Sequence, residues 1–296
     1  MNQEELKTEI ARILREMMPG TEPMVKGSEY RPTQAGQNGE SLADISAQDL
    51  RQLYLVKNPH NKEGFLRLRK KTPARLGMGK AGARYKTATM LRFRADHAAA
   101  QDSVFAEIPS EFAEKNGLLG VQTLCESRDQ YLTRPDLGRG FDQKNGEIIR
   151  QGLPHAPQIQ LVIGDGLSCA AILANAMDCA AAIRQGLKAN GMDLGKTLYV
   201  KNARVGAGDA VGDITGCKVV CMLVGERPGL VSAESMSAYI TFNPHRGIPE
   251  SKRTVVSNIH AQGTPAVEAG AYIAELLLKI LKAGASGVDL PGGAVS

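Results

Sequence analysis

Residues Ile159–Leu187 read IQLVIGDGLSCAAILANAMDCAAAIRQGL, which begins as an apolar strand, passes through a glycine-containing turn and continues as an alanine-rich helix. Ser168 stands at the start of that helix, where its hydroxyl can accept a hydrogen bond from a free backbone N–H. Strand, turn and helix in this order form the repeating unit of α/β proteins, in which helices cover both faces of a mainly parallel sheet. The stretch therefore predicts an α/β fold.

The same alternation extends towards the end of the chain. Further apolar segments of strand length lie at Thr197–Val200, Lys218–Val224, Ala238–Phe242 and Thr254–Val256. A second amphipathic helix is predicted from Pro265 to Lys282, with Thr264 as its N-cap, proline in its first position and Gly284 beyond its end. We therefore expect a Rossmann-like α/β domain with a mostly parallel sheet over residues 116–296.

Residues 45–115 have a different pattern, which is helical and is interrupted by a glycine-rich basic loop. Apolar residues at helical spacing cluster at Leu50–Leu53, Phe65–Leu68 and Met90–His97. The loop, Leu76–Arg84, does not match a P-loop, because Ala81 follows Lys80 where a Ser or Thr would bind Mg²⁺ and because no apolar strand precedes it. This segment is predicted to be a small helical N-terminal domain.

The first 44 residues divide into a short amphipathic helix and a linker. Residues 1–18 carry apolar side chains at helical spacing with charges between them, and Pro19-Gly20 ends the pattern. Residues 19–44 are rich in Pro, Gly, Gln, Thr and Ser, the composition of a flexible linker. Two interpretations remain open: a helix on a tether outside the main fold, and a helix that docks on the core.

The net charge of +5 comes from 36 Lys and Arg against 31 Asp and Glu, and it is unevenly distributed. Residues 51–94 contain thirteen Lys or Arg and a single acid, Glu63, a local charge of +12, so the remaining residues sum to −7. Such a segment can neutralise nucleic-acid phosphates, which makes a basic nucleic-acid-binding scaffold the alternative function. Aromatic residues are only 4% of the chain, which is unfavourable for stacking on bases. We favour a docking surface for an acidic protein partner or an anionic ligand group.

Composition, the lack of long apolar runs and the cysteine pattern limit the class of protein. Hydrophobic residues at 43% and charged residues at 23% are typical of globular proteins. No apolar run is long enough to span a bilayer, and the N-terminus lacks the basic and apolar regions of a signal peptide, so we expect a cytoplasmic protein with no membrane contact. The five cysteines form no CxxC pair and are predicted to be reduced and buried.

Candidate binding groups lie in the turns that follow the predicted strands, because the carboxyl ends of parallel strands meet at one edge of a sheet. Four such turns carry polar side chains, and three of them contain glycine, which lets a ligand approach the backbone closely. They are Gly164–Ser168, Ala203–Gly208, Gly225–Gly229 and Ser257–His260. Four turns at one edge of the sheet suit a large ligand.

Self-sufficient catalysis is not indicated. No turn reads G-x-G-x-x-G, so a nicotinamide dinucleotide is disfavoured. The five histidines are dispersed without the spacing of metal ligands, and no metal site is predicted. The segment Gly166–Ala170 lacks the second glycine of a nucleophile elbow. No catalytic residue is assigned.

Six ordered stretches resemble the small (light) subunit of ethanolamine ammonia-lyase, a family that depends on adenosylcobalamin, the coenzyme form of vitamin B12. They are Arg75–Thr87 with its Gly-Lys-Ala-Gly core, Leu91–Phe93 with Ala95–His97, Tyr131–Arg139, Asp165–Ser168, Val224–Leu230, and Ser257–His260 with Gly263–Pro265. The resemblance runs from about residue 50 to residue 289. Any one stretch is a weak signal, whereas six in order with consistent spacing are specific.

The resemblance implies a fold, a partner and a cofactor site. In this family the small subunit has a helical N-terminal domain and an α/β C-terminal domain, and it packs against a barrel-shaped large subunit with the corrin held between them. By residue, the family's cobalamin contacts fall on Val205, Glu226 and Val255. The carboxylate of Glu226 can accept hydrogen bonds from the corrin's amide side chains, and the two valines would supply backbone and apolar contact.

Two positions depart from related patterns. Some cobalamin proteins ligate cobalt with a His from an Asp-x-His-x-x-Gly sequence, but here Asn258 replaces the Asp that would polarise His260. Because the family also keeps the benzimidazole bound to cobalt, we assign His260 to shaping the site. Lys80 stands where the family tends to have Arg, so a point charge replaces a two-point donor at any anion contact.

The activity implied by the resemblance is that of a carbon–nitrogen lyase, the radical conversion of ethanolamine to acetaldehyde and ammonia. The family's catalytic groups belong to the large subunit, so this chain alone is expected to be inactive. The helix at 1–18 resembles the short N-terminal helices that direct enzymes into bacterial microcompartments by binding a groove of a shell protein. We therefore expect a cytoplasmic location within a microcompartment.

Overall fold

The computed structural model describes residues 54–72 and 74–292. The predicted helix at 1–18, the linker at 19–44 and the apolar cluster at Leu50–Leu53 lie outside the described residues. The domain boundaries that the sequence indicates therefore stay predictions. Within the described ranges, no helix has the length and apolar character needed to cross a membrane.

Residues 54–115 contain helices and a small hairpin. The helices are α1 Lys62–Arg69, α2 Thr87–Phe105 and α3 Phe112–Lys115, and the hairpin joins β1 Lys80–Ala81 to β2 Arg84–Tyr85. The hairpin occupies the glycine-rich basic stretch in which the sequence predicts only a loop. Gly82 at its tip has a φ of +63°, a conformation that glycine adopts without steric cost.

A six-stranded mixed sheet forms the centre of the described chain. Its strands are β3 Leu119–Gln122, β4 Ile159–Gly164, β5 Leu198–Lys201, β6 Val219–Gly225, β7 Met236–Phe242 and β8 Arg253–Ile259. Their order across the sheet is β3-β5-β4-β6-β7-β8, and β3 is a strand that the sequence analysis missed. The neighbours from β3 to β6 are parallel, whereas β7 is antiparallel to both β6 and β8.

The register of the sheet brings several strand ends to one edge. Gly164 of β4 pairs with Val200 of β5 and Val224 of β6, so these three parallel strands end level with one another. Met236 pairs with both Gly225 and Ile259, which places the carboxyl end of β8 at the same edge. The four turns singled out from the sequence therefore share one edge of the sheet, called the rim below.

Helices cover both faces of the sheet. They are α4 Arg128–Thr133, α5 Gln143–Gly152, α6 Cys169–Ala189, α7 Ala207–Thr215 and α8 Ala266–Ala283. One buried cluster joins α6 and α8 to the sheet, and a second joins α5 and α7 to the opposite face. All residues of β6 are buried, and they alternate between the two clusters, as expected for a central strand. The predicted α/β fold with a mostly parallel sheet is confirmed.

The two predicted helix starts differ in outcome. Ser168 caps α6 as predicted, since its hydroxyl accepts a hydrogen bond from the N–H of Ala171 at 3.0 Å. Thr264 as the N-cap of α8 is wrong, and so is proline in the first helical position, because Pro265 occupies the cap position. The backbone N–H and C=O of Thr264 bond to Asn258 and His260 in the preceding turn, which fixes this residue outside the helix. Gly284 ends α8 with a φ of +65°, as predicted.

Candidate functional site

The first rim turn, Gly164–Ser168, is buried and holds the sheet together. Asp165 is 3% exposed, and its carboxylate accepts hydrogen bonds from the backbone N–H groups of Asn202 and Ala203 at 2.8 and 2.9 Å. Burial raises the pKa of the Asp165 carboxyl, while these backbone bonds oppose the rise. The side chain is used to join the turns after β4 and β5, so we assign it a structural role.

Two glycines bring the turns after β4 and β6 into direct contact. The N–H of Leu167 donates to the carbonyl of Gly225 at 2.9 Å. Gly166 has a φ of +61°, and a Cβ at this position would lie 2.1 Å from the same carbonyl oxygen. Only glycine fits such an approach, which explains the Asp165-Gly166 pair without a ligand.

Glu226 lies immediately after β6 on the rim and is held by Tyr239 of β7. The phenolic hydroxyl of Tyr239 donates to Oε1 of Glu226 at 2.7 Å. Burial, together with the hydrogen bond and the negative charge of Glu226, raises the pKa of Tyr239 above its ordinary value. Tyr239 therefore stays a neutral donor at physiological pH, and the half-buried carboxylate keeps capacity for further hydrogen bonds.

Val255 of β8 lies directly across from Tyr239. The two residues are partners in the β7–β8 register and so share a face of the sheet. Val255 is 42% exposed, which is unusual for a branched apolar side chain in a strand. Tyr239, which the resemblance did not assign, therefore bonds to Glu226 and pairs with Val255, two of the three residues that it did assign.

Val205 lies in the turn between β5 and α7, on the same face of the sheet. It is partly buried and packs against the cluster that contains α7 and Tyr239. Three residues later, a Cβ on Gly208 would lie 3.5 Å from Met222 and Val220 of β6, so the start of α7 lies over that strand. The three assigned residues thus lie on one face: Val205 and Glu226 follow the carboxyl ends of β5 and β6, and Val255 lies in the first half of β8.

A buried ion pair joins α7 to β8 on this face. Arg253 of β8 donates through Nη1 and Nη2 to the two carboxylate oxygens of Asp209 in the first turn of α7. Thr241 accepts a further bond from Nη1 at 3.2 Å, and Glu250 accepts one from Nε at 2.6 Å. Burial opposes the charge of Arg253, but the bonds to Asp209 and Glu250 outweigh it and raise the guanidinium pKa.

Ser237 of β7 is an unsatisfied polar group on the same face. It lies two residues before Tyr239, is fully buried, and its hydroxyl has no hydrogen-bond partner among the residues that the structure describes. Sequence reasoning missed Tyr239, Ser237 and Arg253. An available signal was the alternation of side chains between the two faces of a strand. It places Arg253 and Val255 of β8 on one face of the sheet, and it places Ser237 and Tyr239 of β7 on that same face.

His260 has both ring nitrogens engaged within its own turn. Nε2 lies 2.8 Å from Oδ1 of Asn258, and Nδ1 lies 3.3 Å from the N–H of Gln262. Because Nδ1 accepts from the Gln262 amide, the ring proton sits on Nε2 and is donated to Asn258. His260 is also buried, so we assign it a structural role in holding its own turn together.

The rim presents polar and apolar groups that can contact a ligand. Between residues 54 and 292, Pro73 aside, no three His, Cys, Asp or Glu side chains come together as a metal site would need. What the face offers is a carboxylate oriented by Tyr239, together with the partly buried Val205 and the exposed Val255. This surface suits a ligand with amide N–H donors around an apolar edge.

Comparisons with known proteins agree on one family. Residues 62–291 match the family model described as ethanolamine ammonia-lyase light chain (EutC). The chain is 52% identical over 295 residues to the ethanolamine ammonia-lyase small subunit of Clostridium perfringens, covering 98% of this chain and 100% of that protein. Proteins of the same description from Clostridioides difficile and Listeria monocytogenes are 50% and 49% identical over 292 residues, covering 98% of this chain and 100% of each relative.

Proposed function

The chain belongs to the ethanolamine ammonia-lyase light-chain (small-subunit) family, and on this premise we propose that it forms one wall of the adenosylcobalamin site of such an enzyme. The observation that carries the proposal is the grouping of Glu226 and Val255 around Tyr239 on one face of the sheet. The half-buried carboxylate keeps acceptor capacity beyond its bond to Tyr239, and Val255 leaves apolar surface exposed on the same face. The matching partner is the large subunit, which the description of the relatives as small subunits implies.

The chemistry of these residues fits the periphery of a corrin. Cobalamin carries neutral amide side chains around an apolar ring, so its edge offers N–H donors next to hydrocarbon. Glu226, oriented by Tyr239, accepts from an amide N–H, and Val205 and Val255 contact the apolar edge. The bound cofactor supplies the radical chemistry that converts ethanolamine to acetaldehyde and ammonia.

The role of this chain in that reaction is to bind and orient the cofactor and to exclude water. Among the described residues no metal-binding cluster is found, and the side chain that bonds to Glu226 is the neutral phenol of Tyr239. We therefore assign the substrate-binding and catalytic groups to the large subunit. It follows that the small subunit is inactive alone and that the lyase is a hetero-oligomer.

The basic segment is the surface that we assign to the large subunit. Its described part has a groove of about 1120 Å³ lined by apolar residues that include Tyr54, Val56 and Phe65 together with Arg67, Lys70 and Lys71. Leu68 on this groove is 65% exposed. Apolar side chains with cations beside them suit a partner surface whose apolar centre is bordered by acidic residues. Arg75 of this segment donates to the carbonyl of Leu230, so a partner that covers the rim also reaches the basic segment.

Residues 1–18 are proposed to direct the enzyme into a bacterial microcompartment within the cytoplasm by binding a shell protein. The support is the amphipathic pattern of the segment and the Pro- and Gly-rich stretch that follows it. Deleting residues 1–20 should leave the lyase activity of the assembled enzyme unchanged and abolish its encapsulation in cells. Encapsulation at the unmodified level would contradict this assignment.

The cofactor assignment is tested with the complex of the two subunits. Cobalamin binding is followed by its visible absorption, and Glu226→Ala should weaken the affinity by about tenfold, because a hydrogen bond to a charged acceptor contributes roughly 1.5–3 kcal/mol. The matched control is Glu275→Ala, an exposed carboxylate on α8 at the other face of the sheet. Equal affinity of the two variants would remove Glu226 from the site.

A further inference from the structure

The ten-residue loop Glu226–Ser235, which joins β6 to β7, is held by side chains from other elements. Near its end, the hydroxyl of Ser168 donates to the carbonyl of Ala233 at 2.5 Å. The side-chain amide of Asn175 donates to the carbonyl of Glu234 at 2.9 Å. At its tip, Nη2 of Arg75 donates to the carbonyl of Leu230 at 2.9 Å. Arg75 lies 155 residues away in sequence and belongs to the basic segment.

Arg75 is itself held in place by Asp96 of α2. The same Nη2 atom donates to Oδ2 of Asp96 at 2.7 Å, and Nε of Arg92 donates to Oδ1 at 2.8 Å. The guanidinium of Arg75 also lies 5.6 Å from the centre of the Phe93 ring. The carboxylate of Asp96 is only 11% exposed, so this is a partly buried pair with a defined geometry.

We propose that Arg75 and Asp96 are positioning residues for the cofactor, because they hold the tip of the loop that carries Glu226. The inference rests on the proposed role of Glu226 and extends it to residues that do not touch the ligand. A loop of this length loses much conformational freedom when it is fixed, and each tethered carbonyl reduces what cofactor binding must still order. Without Asp96, the long side chain of Arg75 is free to turn towards solvent and release Leu230.

The same contact links the surface assigned to the large subunit with the cofactor loop. Arg75 and the first part of α2 belong to the basic segment, whereas Leu230 follows directly on the rim turn Gly225–Gly229. A subunit that binds the basic segment therefore restrains the loop through one guanidinium. This predicts that loosening the Arg75–Asp96 pair weakens cobalamin binding without affecting the recognition of ethanolamine.

The first test is amide hydrogen exchange on the two-subunit complex. Asp96→Asn keeps the shape of the side chain and removes its charge, and it should speed exchange in residues 226–235. Glu147→Gln is the matched control, because Glu147 forms an exposed ion pair with Arg150 on α5, away from this loop. Arg75→Met, which keeps an aliphatic stem, should reproduce the effect. Unchanged exchange in both Asp96→Asn and Arg75→Met would overturn the proposal.

The second test is a double-mutant cycle on cobalamin binding. Asp96→Asn should raise the apparent KM for adenosylcobalamin about fivefold and leave kcat and the KM for ethanolamine unchanged, which a general loss of folded enzyme would not do. In a Glu226→Ala background the same substitution should change cobalamin affinity less than twofold, because both act through one loop. If Glu226→Ala weakens binding and Asp96→Asn does not, the positioning role is wrong. If Glu226→Ala alone has no effect, the proposed cofactor site fails instead.

Discussion

Arg253 of β8 and Asp209 of α7 form a two-point ion pair in the protein interior, with Nη1 2.7 Å from Oδ1 and Nη2 2.8 Å from Oδ2. The pair joins the helix that follows Val205 to the strand that carries Val255. Asp209→Ala leaves a buried guanidinium with only the partly exposed Glu250 as a charged partner, and should lower the free energy of unfolding by about 3 kcal/mol. Urea unfolding of the full chain, followed by circular dichroism, measures the loss.

The exposed pair Arg246 and Asp213 is the control for that experiment. Nε of Arg246 lies 3.7 Å from Oδ2 of Asp213, the backbone N–H of Arg246 donates to the same oxygen at 3.2 Å, and both side chains are exposed. Asp213→Ala should therefore lower the free energy of unfolding by less than about 1 kcal/mol. Equal losses in Asp209→Ala and Asp213→Ala would show that the buried pair does not join α7 to β8.

Glu250 gives the same network a dependence on pH. Its hydrogen bond to Arg253 lowers the pKa of Glu250 below its ordinary value, and a depressed carboxyl pKa stabilises the fold at neutral pH. That contribution is present above pH 4.5 and is lost as pH falls through the lower pKa of the folded state. Glu250→Gln should therefore be slightly less stable at pH 7 and lose less stability between pH 5 and pH 3. A parallel decline in the two proteins would contradict this assignment.

Two buried serines should respond in opposite ways to the same substitution. Ser168 caps α6 and donates to Ala233, so Ser168→Ala should lower the free energy of unfolding by about 2 kcal/mol. The hydroxyl of Ser237 is unpartnered, so Ser237→Ala should leave that free energy unchanged or raise it by up to about 1 kcal/mol. Chemical denaturation measures both. A large loss in Ser237→Ala would reveal a partner for its hydroxyl.

Tyr239→Phe tests how Glu226 is oriented. The ring stays in the sheet while the hydrogen bond to Oε1 is lost, so the carboxylate no longer has a fixed direction. We expect cobalamin affinity in the two-subunit complex to fall about threefold to tenfold, which is less than the loss of a whole hydrogen bond to a charged group, because Glu226 remains and only its orientation is lost. Tyr272→Phe on α8, where the side chain is exposed, should leave the affinity unchanged. Identical affinities of the two variants would separate Tyr239 from the site.

The five cysteines should resist alkylation in the native protein. All are free and buried, as the sequence predicts. Burial raises the pKa of Cys169 to about 11 and that of Cys179 to about 12, so at pH 8 both remain thiols, whereas the thiolate is the nucleophile. Iodoacetamide at pH 8 should modify none of the five in the folded chain and all five in urea, as counted by mass spectrometry. Rapid native labelling of any of them would show local opening.

Local signals in the sequence predict the strands of the α/β domain well, because long apolar segments leave few alternatives. The segments Lys218–Val224 and Thr254–Val256 correspond to β6 and β8, and the order of strands and turns correctly predicts a shared rim. In contrast, β3 was missed. Its four residues include Gly120, and the strand exists through its parallel pairing with β5, almost eighty residues later. No local sequence pattern indicates a pairing between strands that lie so far apart in the chain.

The contacts within the site depend on register rather than on residue type. The sequence places Glu226 in a turn and Tyr239 in a strand, but only the pairing of β6 with β7 brings the hydroxyl to the carboxylate. Arg253 and Asp209 are 44 residues apart, and Arg75 is 155 residues from Leu230. Contacts between such distant positions follow from the folded topology, which explains why the sequence indicated the rim and missed the residues that fix its geometry.

The position of β8 has a consequence for how the chain is produced. The segment that follows α8 packs against the start of this strand, where Ser286 and Gly287 bond to Lys252 and Thr254. From Val255 onwards the strand forms the edge of the sheet and has no strand on its outer side in the described chain. An open, apolar strand edge templates intermolecular pairing. Synthesis of this chain in excess over a partner that covers this edge would therefore favour aggregation.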